Sequence, residues 1–236
     1  MIPSDIDEPS WLARNISEIR ERVYVAAREA SRSPDKITIV AVSKTHPREL
    51  VDEAHALGLD VFGENRVQEA AAKFGDSIPT NMRVNLIGQL QTNKAKAAIA
   101  LFDRIESVDR PSLVAALEKE AAKAETLVSV LVQVNIGREP QKSGCLSEEA
   151  LALVDVVRAS EHLRLDGLMG IAPMVDDAEM ARPYFRLLCE LRDEVGRDRP
   201  DVDLPVLSMG MSGDFEAAIM EGATHVRIGS AIFGAR

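Results

Sequence analysis

Eight short apolar runs punctuate this sequence, and between each and the next lies a stretch with helical periodicity. The runs are Ile37–Ser43, Val61–Gly63, Val84–Gly88, Arg104–Val108, Val128–Asn135, Leu163–Ile171, Val206–Met209 and Val226–Gly229. They are brief and rich in Val, Ile and Leu, the pattern of parallel strands whose outer faces are covered by helices. Two-residue hairpins cannot join parallel strands, so the stretches between them must cross over, and they carry the signals for it. Pro47 and Gly58 bracket Leu50, Val51 and Ala54; Asp109 and Pro111 open a stripe of Leu113, Leu117 and Ala121. Ser147 is placed to cap a helix whose first turn holds Glu148 and Glu149.

Before the first run, Leu12, Ile16, Ile19, Val23 and Ala27 recur at helical spacing. Eight parallel strands alternating with helices is the number that closes on itself. The expected fold is therefore α/β: a single (β/α)8 barrel of the TIM type, preceded by an N-terminal helix and spanning residues 1–236 as one domain. A doubly wound open sheet is the competitor. It would prefer a Gly-rich dinucleotide loop after the first strand, and Ser43-Lys44-Thr45 is not one.

Composition narrows the function. A net charge of −10 argues against nucleic acid, which needs a concentrated basic face. No apolar run approaches the roughly 20 residues of a membrane span, and Met1 to Ser10 lacks a basic-then-apolar leader pattern. Cys145 and Cys189, and the scattered His46, His55, His162 and His225, lack metal-ligand spacing. The expectation is a cytoplasmic protein with reduced thiols and no metal.

Polar residues concentrate where the strands end, which in such barrels is where chemistry sits. Lys44 closes the first run; Glu64 and Asn65 follow the second; Gln89, Gln91 and Asn93 follow the third; Asn135 ends the fifth; Ser208, Ser212, Arg227 and Ser230 mark the last two. Alternation puts Thr38, Val40, Val42 and Lys44 on one face, aiming Lys44 into the barrel mouth if that face is the inner one. A lysine there must be paired, bound or deprotonated, and a deprotonated lysine forms Schiff bases with carbonyls. Ser212-Gly213-Asp214 and Arg227-Ile228-Gly229-Ser230 lie after the seventh and eighth runs, the usual phosphate site of this architecture. A reactive lysine beside a phosphate cradle points to a phosphorylated carbonyl compound: pyridoxal 5′-phosphate (PLP) or a sugar phosphate cleaved by a lyase.

The chain also resembles a known family, the pyridoxal phosphate homeostasis proteins, which are alanine-racemase-like. The matching segments run in family order: Ala41-Val42-Ser43-Lys44-Thr45, Phe62-Gly63-Glu64-Asn65 with Val67-Gln68-Glu69, and Ile87-Gly88-Gln89-Leu90-Gln91 with Asn93-Lys94. Then come Lys142-Ser143-Gly144, Gly167-Leu168-Met169, Leu207-Ser208-Met209-Gly210-Met211-Ser212, and Arg227-Ile228-Gly229-Ser230 with Ala231-Ile232-Phe233-Gly234. The resemblance implies that Lys44 holds PLP as a Schiff base. It implies that Ser212, Gly229 and Ser230 bind the phosphate, that Arg227 faces the pyridine nitrogen, and that Asn65 and Met209 line the ring site. Lys142 matches a second lysine concerned with handling the cofactor. Two positions depart from the family pattern: His46 stands where many members have a second lysine, and Asn85 where many have histidine.

The family implies a carrier, one that binds, buffers and delivers PLP to apo PLP-dependent enzymes, with no turnover. The alternative is a racemase-like PLP enzyme. Racemisation in this barrel type needs two bases on opposite faces, the second coming from an extra β domain. The sequence ends at Arg236, shortly after Ser230, so no such domain is expected. Tyr24 and Tyr184 fall in helical stretches.

Overall fold

In the computed structural model, residues 10–75 and 77–234 are described; the acidic leader up to Pro9 lies outside them. The chain opens with α1 (Trp11–Glu29), capped by the Ser10 hydroxyl, which accepts from the Ala13 N–H at 3.2 Å. Then follow β1 (Thr38–Val42), α2 (Arg48–Ala56), β2 (Val61–Glu64), α3 (Val67–Phe74), β3 (Arg83–Leu86), α4 (Ala95–Ile99) and β4 (Arg104–Val108). The second half runs α5 (Pro111–Lys123), β5 (Val128–Val134), α6 (Ala150–Arg158), β6 (Leu163–Gly170), α7 (Arg182–Asp198), β7 (Val206–Met211), α8 (Phe215–Met220), β8 (His225–Ile228) and α9 (Ser230–Phe233). The eight strands pair in parallel in sequence order, and β8 returns to β1, closing the barrel. The (β/α)8 expectation therefore holds, and the open doubly wound sheet does not.

Alternation divides each strand between two layers. Ala41, Phe62, Val84, Leu86, Ile105, Val130, Val132, Leu168, Leu207, Val226 and Ile228 face outward and pack with the helices into one core. The interior holds a small apolar group, Leu131, Met169 and Val206, among polar side chains. Ladder irregularities re-aim residues locally. On β4, Ile105 and Val108 both join the outer core although three residues apart, with a register shift between them.

α1 and the turn after it are tied to the last two β/α units. Asn15 donates to the Ile232 carbonyl at 2.9 Å, Arg22 pairs with Glu216, and Arg32 donates to the carbonyls of Ile219 and Ala223. Local capping differs from expectation after β5: Ser147–Glu149 is a 3-10 turn whose cap is Leu146, its N–H held by Glu149 Oε2 at 3.0 Å. Among the described residues no helix is long and apolar enough to cross a membrane, and no group of three or more His, Cys, Asp or Glu is placed to hold a metal ion.

Candidate functional site

A cavity of about 440 Å³ opens at the C-terminal ends of the strands. Its polar lining includes Lys44, His46, Asn65, Ser212, Arg227 and Ser230; Val42, Ile87, Ile171 and Met211 form apolar wall, and Gly213, Gly229 and Gly234 bare backbone. Lys44, Asn65, Ser212, Arg227, Gly229 and Ser230, gathered from four separate β/α junctions, thus share one cavity.

Lys44 stands where β1 passes into α2, and the peptides on either side of it are gripped by α3. Lys73 Nζ donates to the Ser43 carbonyl at 2.7 Å, and the Thr45 N–H donates to Glu69 Oε1. Thr45 adopts φ +67°, a left-handed conformation unfavourable for a β-branched residue. Behind this loop Glu64, fully buried, accepts from Lys73 at 2.6 Å and from the Ser43 hydroxyl at 2.8 Å. Burial pushes the Glu64 carboxyl up from its ordinary value, and the Lys73 ammonium opposes that. Glu64 therefore does not face the mouth as its place at a strand end suggested. It backs the lysine loop from outside the sheet, because it shares the outward parity of Phe62. Asn65 does reach the cavity, and Gly88 accounts for its position: a Cβ on Gly88 would lie 2.2 Å from the Asn65 carbonyl oxygen.

On the far side, neither serine is spent as a helix cap. α8 is entered through Asp214, whose carboxylate accepts from the Met211 N–H at 2.6 Å. α9 is entered through Gly229, with Ser230 its first residue. Ser212 Oγ accepts from the Gly229 N–H at 3.3 Å, which draws the two loops together. Gly210, at φ +90° with room for no Cβ beside Ala218 at 2.6 Å, makes the turn that delivers Ser212.

Arg227 points inward because Val226 and Ile228 pack outward. It is 4% exposed, and donates to the Ser208 hydroxyl at 2.7 Å and the Gly170 carbonyl at 2.9 Å. Burial lowers its pKa from the usual arginine value, against the pull of Glu106 and Asp214. Ser208 donates to Glu106, which also accepts from Asn85. Glu106 lies within β4 rather than at a strand end, and its sequence signal is the run Arg104-Ile105-Glu106: one apolar residue outward between two inward charges.

Six expected positions fall elsewhere. Met209 is fully buried in the outer core with Leu207, one step out of phase with inward Ser208, and Met211 takes the place at the wall. Lys142 is outside the cavity lining: its ammonium contacts the Glu139 carboxylate and donates to the Ala172 carbonyl at 3.1 Å, next to wall residue Ile171. Asn135 holds that same loop, exchanging hydrogen bonds with the Glu139 backbone. Gln89, Gln91 and Asn93 are exposed and outside the lining.

The cavity's donor set suits a phosphorylated aromatic aldehyde. It offers an amine for the carbonyl, hydroxyls and backbone N–H groups for the phosphate, apolar walls for a flat ring, and a guanidinium for a ring acceptor.

Comparison with known proteins agrees with this geometry. The alanine racemase N-terminal domain family matches residues 13–236. A pyridoxal phosphate homeostasis protein of Aquifex aeolicus is 42% identical over 94% of this chain and 96% of its own. One from Pseudomonas aeruginosa is 40% identical over 96% of each. PipY of Synechococcus elongatus PCC7942, solved with PLP bound, superposes with a TM-score of 0.83 at 33% identity, covering 94% of this chain and all of PipY. An alanine racemase of Clostridium difficile shares the fold at 16% identity, this chain covering 60% of its length. Barrel, cavity and end-to-end likeness agree, and the chain belongs to the alanine racemase N-terminal domain family and, within it, to the pyridoxal phosphate homeostasis proteins.

Proposed function

We propose that this protein binds PLP at the barrel mouth, held on Lys44, and serves as an intracellular store that buffers the cofactor and hands it on to apo PLP-dependent enzymes. The observation that carries the reading is the convergence of Lys44, Arg227 and the Ser212, Gly229 and Ser230 donors on one cavity.

When bound, PLP supplies an aldehyde on which amines exchange and an electron-poor ring. The remaining roles belong to the chain. Lys44 is the attachment point, its backbone fixed on both sides by α3. Ser212, Ser230 and the Gly229 N–H hold the phosphate. Asn65 and the apolar wall confine the ring. Arg227 can only donate, so a ring nitrogen facing it stays without a proton and the ring is a weaker electron sink.

The same side chains support a carrier rather than an enzyme. Among the described residues, the titratable ones lining the cavity are Lys44, His46 and Arg227. Lys44 and His46 both come off the loop after β1, and Arg227 does not give up its proton at working pH. Neither Tyr24, half exposed on α1, nor Tyr184 lines the cavity. Racemisation would need a base on the opposite face.

The purified protein should show a visible absorption band, and borohydride should fix the cofactor to Lys44. Lys44→Ala should remove most of the band. Attachment wholly at Lys94 or Lys142 would overturn the assignment, and robust racemisation abolished by Lys44→Ala would overturn the carrier reading.

A further inference from the structure

Glu106 lies on β4 with its side chain fully enclosed by the barrel, and the roles above leave it without one. One oxygen accepts from the Asn85 amide at 2.8 Å and the other from the Ser208 hydroxyl at 2.6 Å. Ser208 Oγ in turn accepts from Arg227 Nη1 at 2.7 Å. The direction of this relay is forced. A guanidinium only donates, a carboxylate only accepts, and serine has one proton to give. Ser208 therefore turns its proton to Glu106 and its lone pair to Arg227.

Arg227 Nη2 is tied separately to the Gly170 carbonyl at 2.9 Å. Both terminal nitrogens are thus anchored, one on β7 and one on β6; the guanidinium has further N–H groups to give, and its residue lines the cavity. An enclosed cation needs a compensating anion. Glu106 and Asp214 are the carboxylates whose charge acts on Arg227. Asp214 is committed to the Met211 N–H at the entrance to α8, whereas Glu106 is joined to Arg227 through one hydroxyl. The other interior charges are engaged lower in the barrel, where Arg104 pairs with Asp166 and touches His225. The interposed hydroxyl joins the two charges without a direct Glu106–Arg227 contact, and Arg227 lines the cavity.

We propose that Glu106, acting through Ser208, is the positioning residue for Arg227, holding its guanidinium at the cavity wall so that it donates to the ring nitrogen of the ligand. The inference rests on the PLP reading above, since that ring supplies the acceptor.

The test compares PLP with its 1-deaza analogue, in which carbon replaces the ring nitrogen. Wild-type protein should bind PLP about ten- to a hundredfold more tightly than the analogue, the worth of one charge-assisted hydrogen bond. Glu106→Gln keeps the volume and loses the charge, and should reduce that ratio to roughly threefold or less, with binding of the analogue little changed. Ser208→Ala breaks the relay while leaving the carboxylate, and should reduce the ratio in the same way; it decides the matter if Glu106→Gln fails to fold. A generally loosened structure would weaken both ligands and leave the ratio intact. An intact ratio in the folded variants overturns the positioning role and leaves the PLP site standing. A wild-type ratio near one removes the ring-nitrogen role of Arg227, and the proposal with it. Failure of wild-type protein to bind either ligand overturns the functional reading itself.

Discussion

Ser230 and Gly229 line the cavity, and under the proposed function they would hold the phosphate with little side chain. A Cβ built on Gly229 would meet Val42 only at 3.4 Å, an ordinary contact, so the protein itself leaves room there. Gly229→Ala should therefore weaken PLP while shifting stability by no more than about 0.5 kcal/mol, read by PLP titration beside chemical unfolding. Equal losses in both would mean that the glycine serves the fold. Ser230→Asp sets a carboxylate against the ligand's phosphate and removes a donor worth about 1.5–3 kcal/mol. Its PLP affinity should fall at least tenfold, about the size of one such bond, and pyridoxal without phosphate should bind wild type poorly for the same reason. Comparable affinities for pyridoxal and PLP would remove the cradle.

At the scale of elements, α3 and the loop after β5 control the two lysines differently. α3 grips the peptides flanking Lys44 through Lys73 and Glu69, with Glu64 buried behind. Lys73→Met strands the Glu64 carboxyl without its cation. Loss of one partner from a buried pair costs about 3–5 kcal/mol, so the unfolding midpoint should drop. Glu69→Gln leaves the Lys73–Glu64 pair in place, and should weaken cofactor retention with little effect on stability. The loop carrying Lys142 is fastened by Glu139, Asn135, Gln133 and the Ala172 carbonyl, beside the cavity wall. Lys142→Ala should leave the visible band nearly intact and change the rate at which PLP reaches an apo acceptor enzyme, measured with free PLP trapped. Unchanged transfer kinetics would reduce Lys142 to a loop residue.

For the molecule as a whole, the polar interior couples folding to pH. His225 faces the lower barrel, where burial above all, aided by Arg104 and Arg227 and opposed by Glu106 and Asp166, depresses its pKa to about 4. The unfolded value is about 6.5. The folded state thus binds fewer protons between these values, so the contribution is fully present above pH 6.5 and is lost as pH falls toward 4. Its size is at most about 3 kcal/mol. Wild-type unfolding free energy should decline across that window by more than that of His225→Gln. Parallel pH profiles would mean that the imidazole protonates freely in the folded barrel. The closed strand order, the outer core and the inward direction of Lys44 and Arg227 were all legible beforehand, because period-two alternation and the strand–helix rhythm are written locally in residues such as Val226-Arg227-Ile228. The register was not. Met209 and Met211 lie on the same strand, and one packs in the core while the other reaches the cavity, because the β7–β8 ladder shifts between Ser208 and Met211. Glu64 reads as a mouth residue until Phe62 fixes its parity, and only folding carries it onto Lys73 of α3. Glu106 meets Ser208 across 102 positions of sequence. Local periodicity chose the elements and which face each shows, but which buried charges compensate one another depends on where closure of the barrel brings distant strands together. Only the tertiary structure decides that.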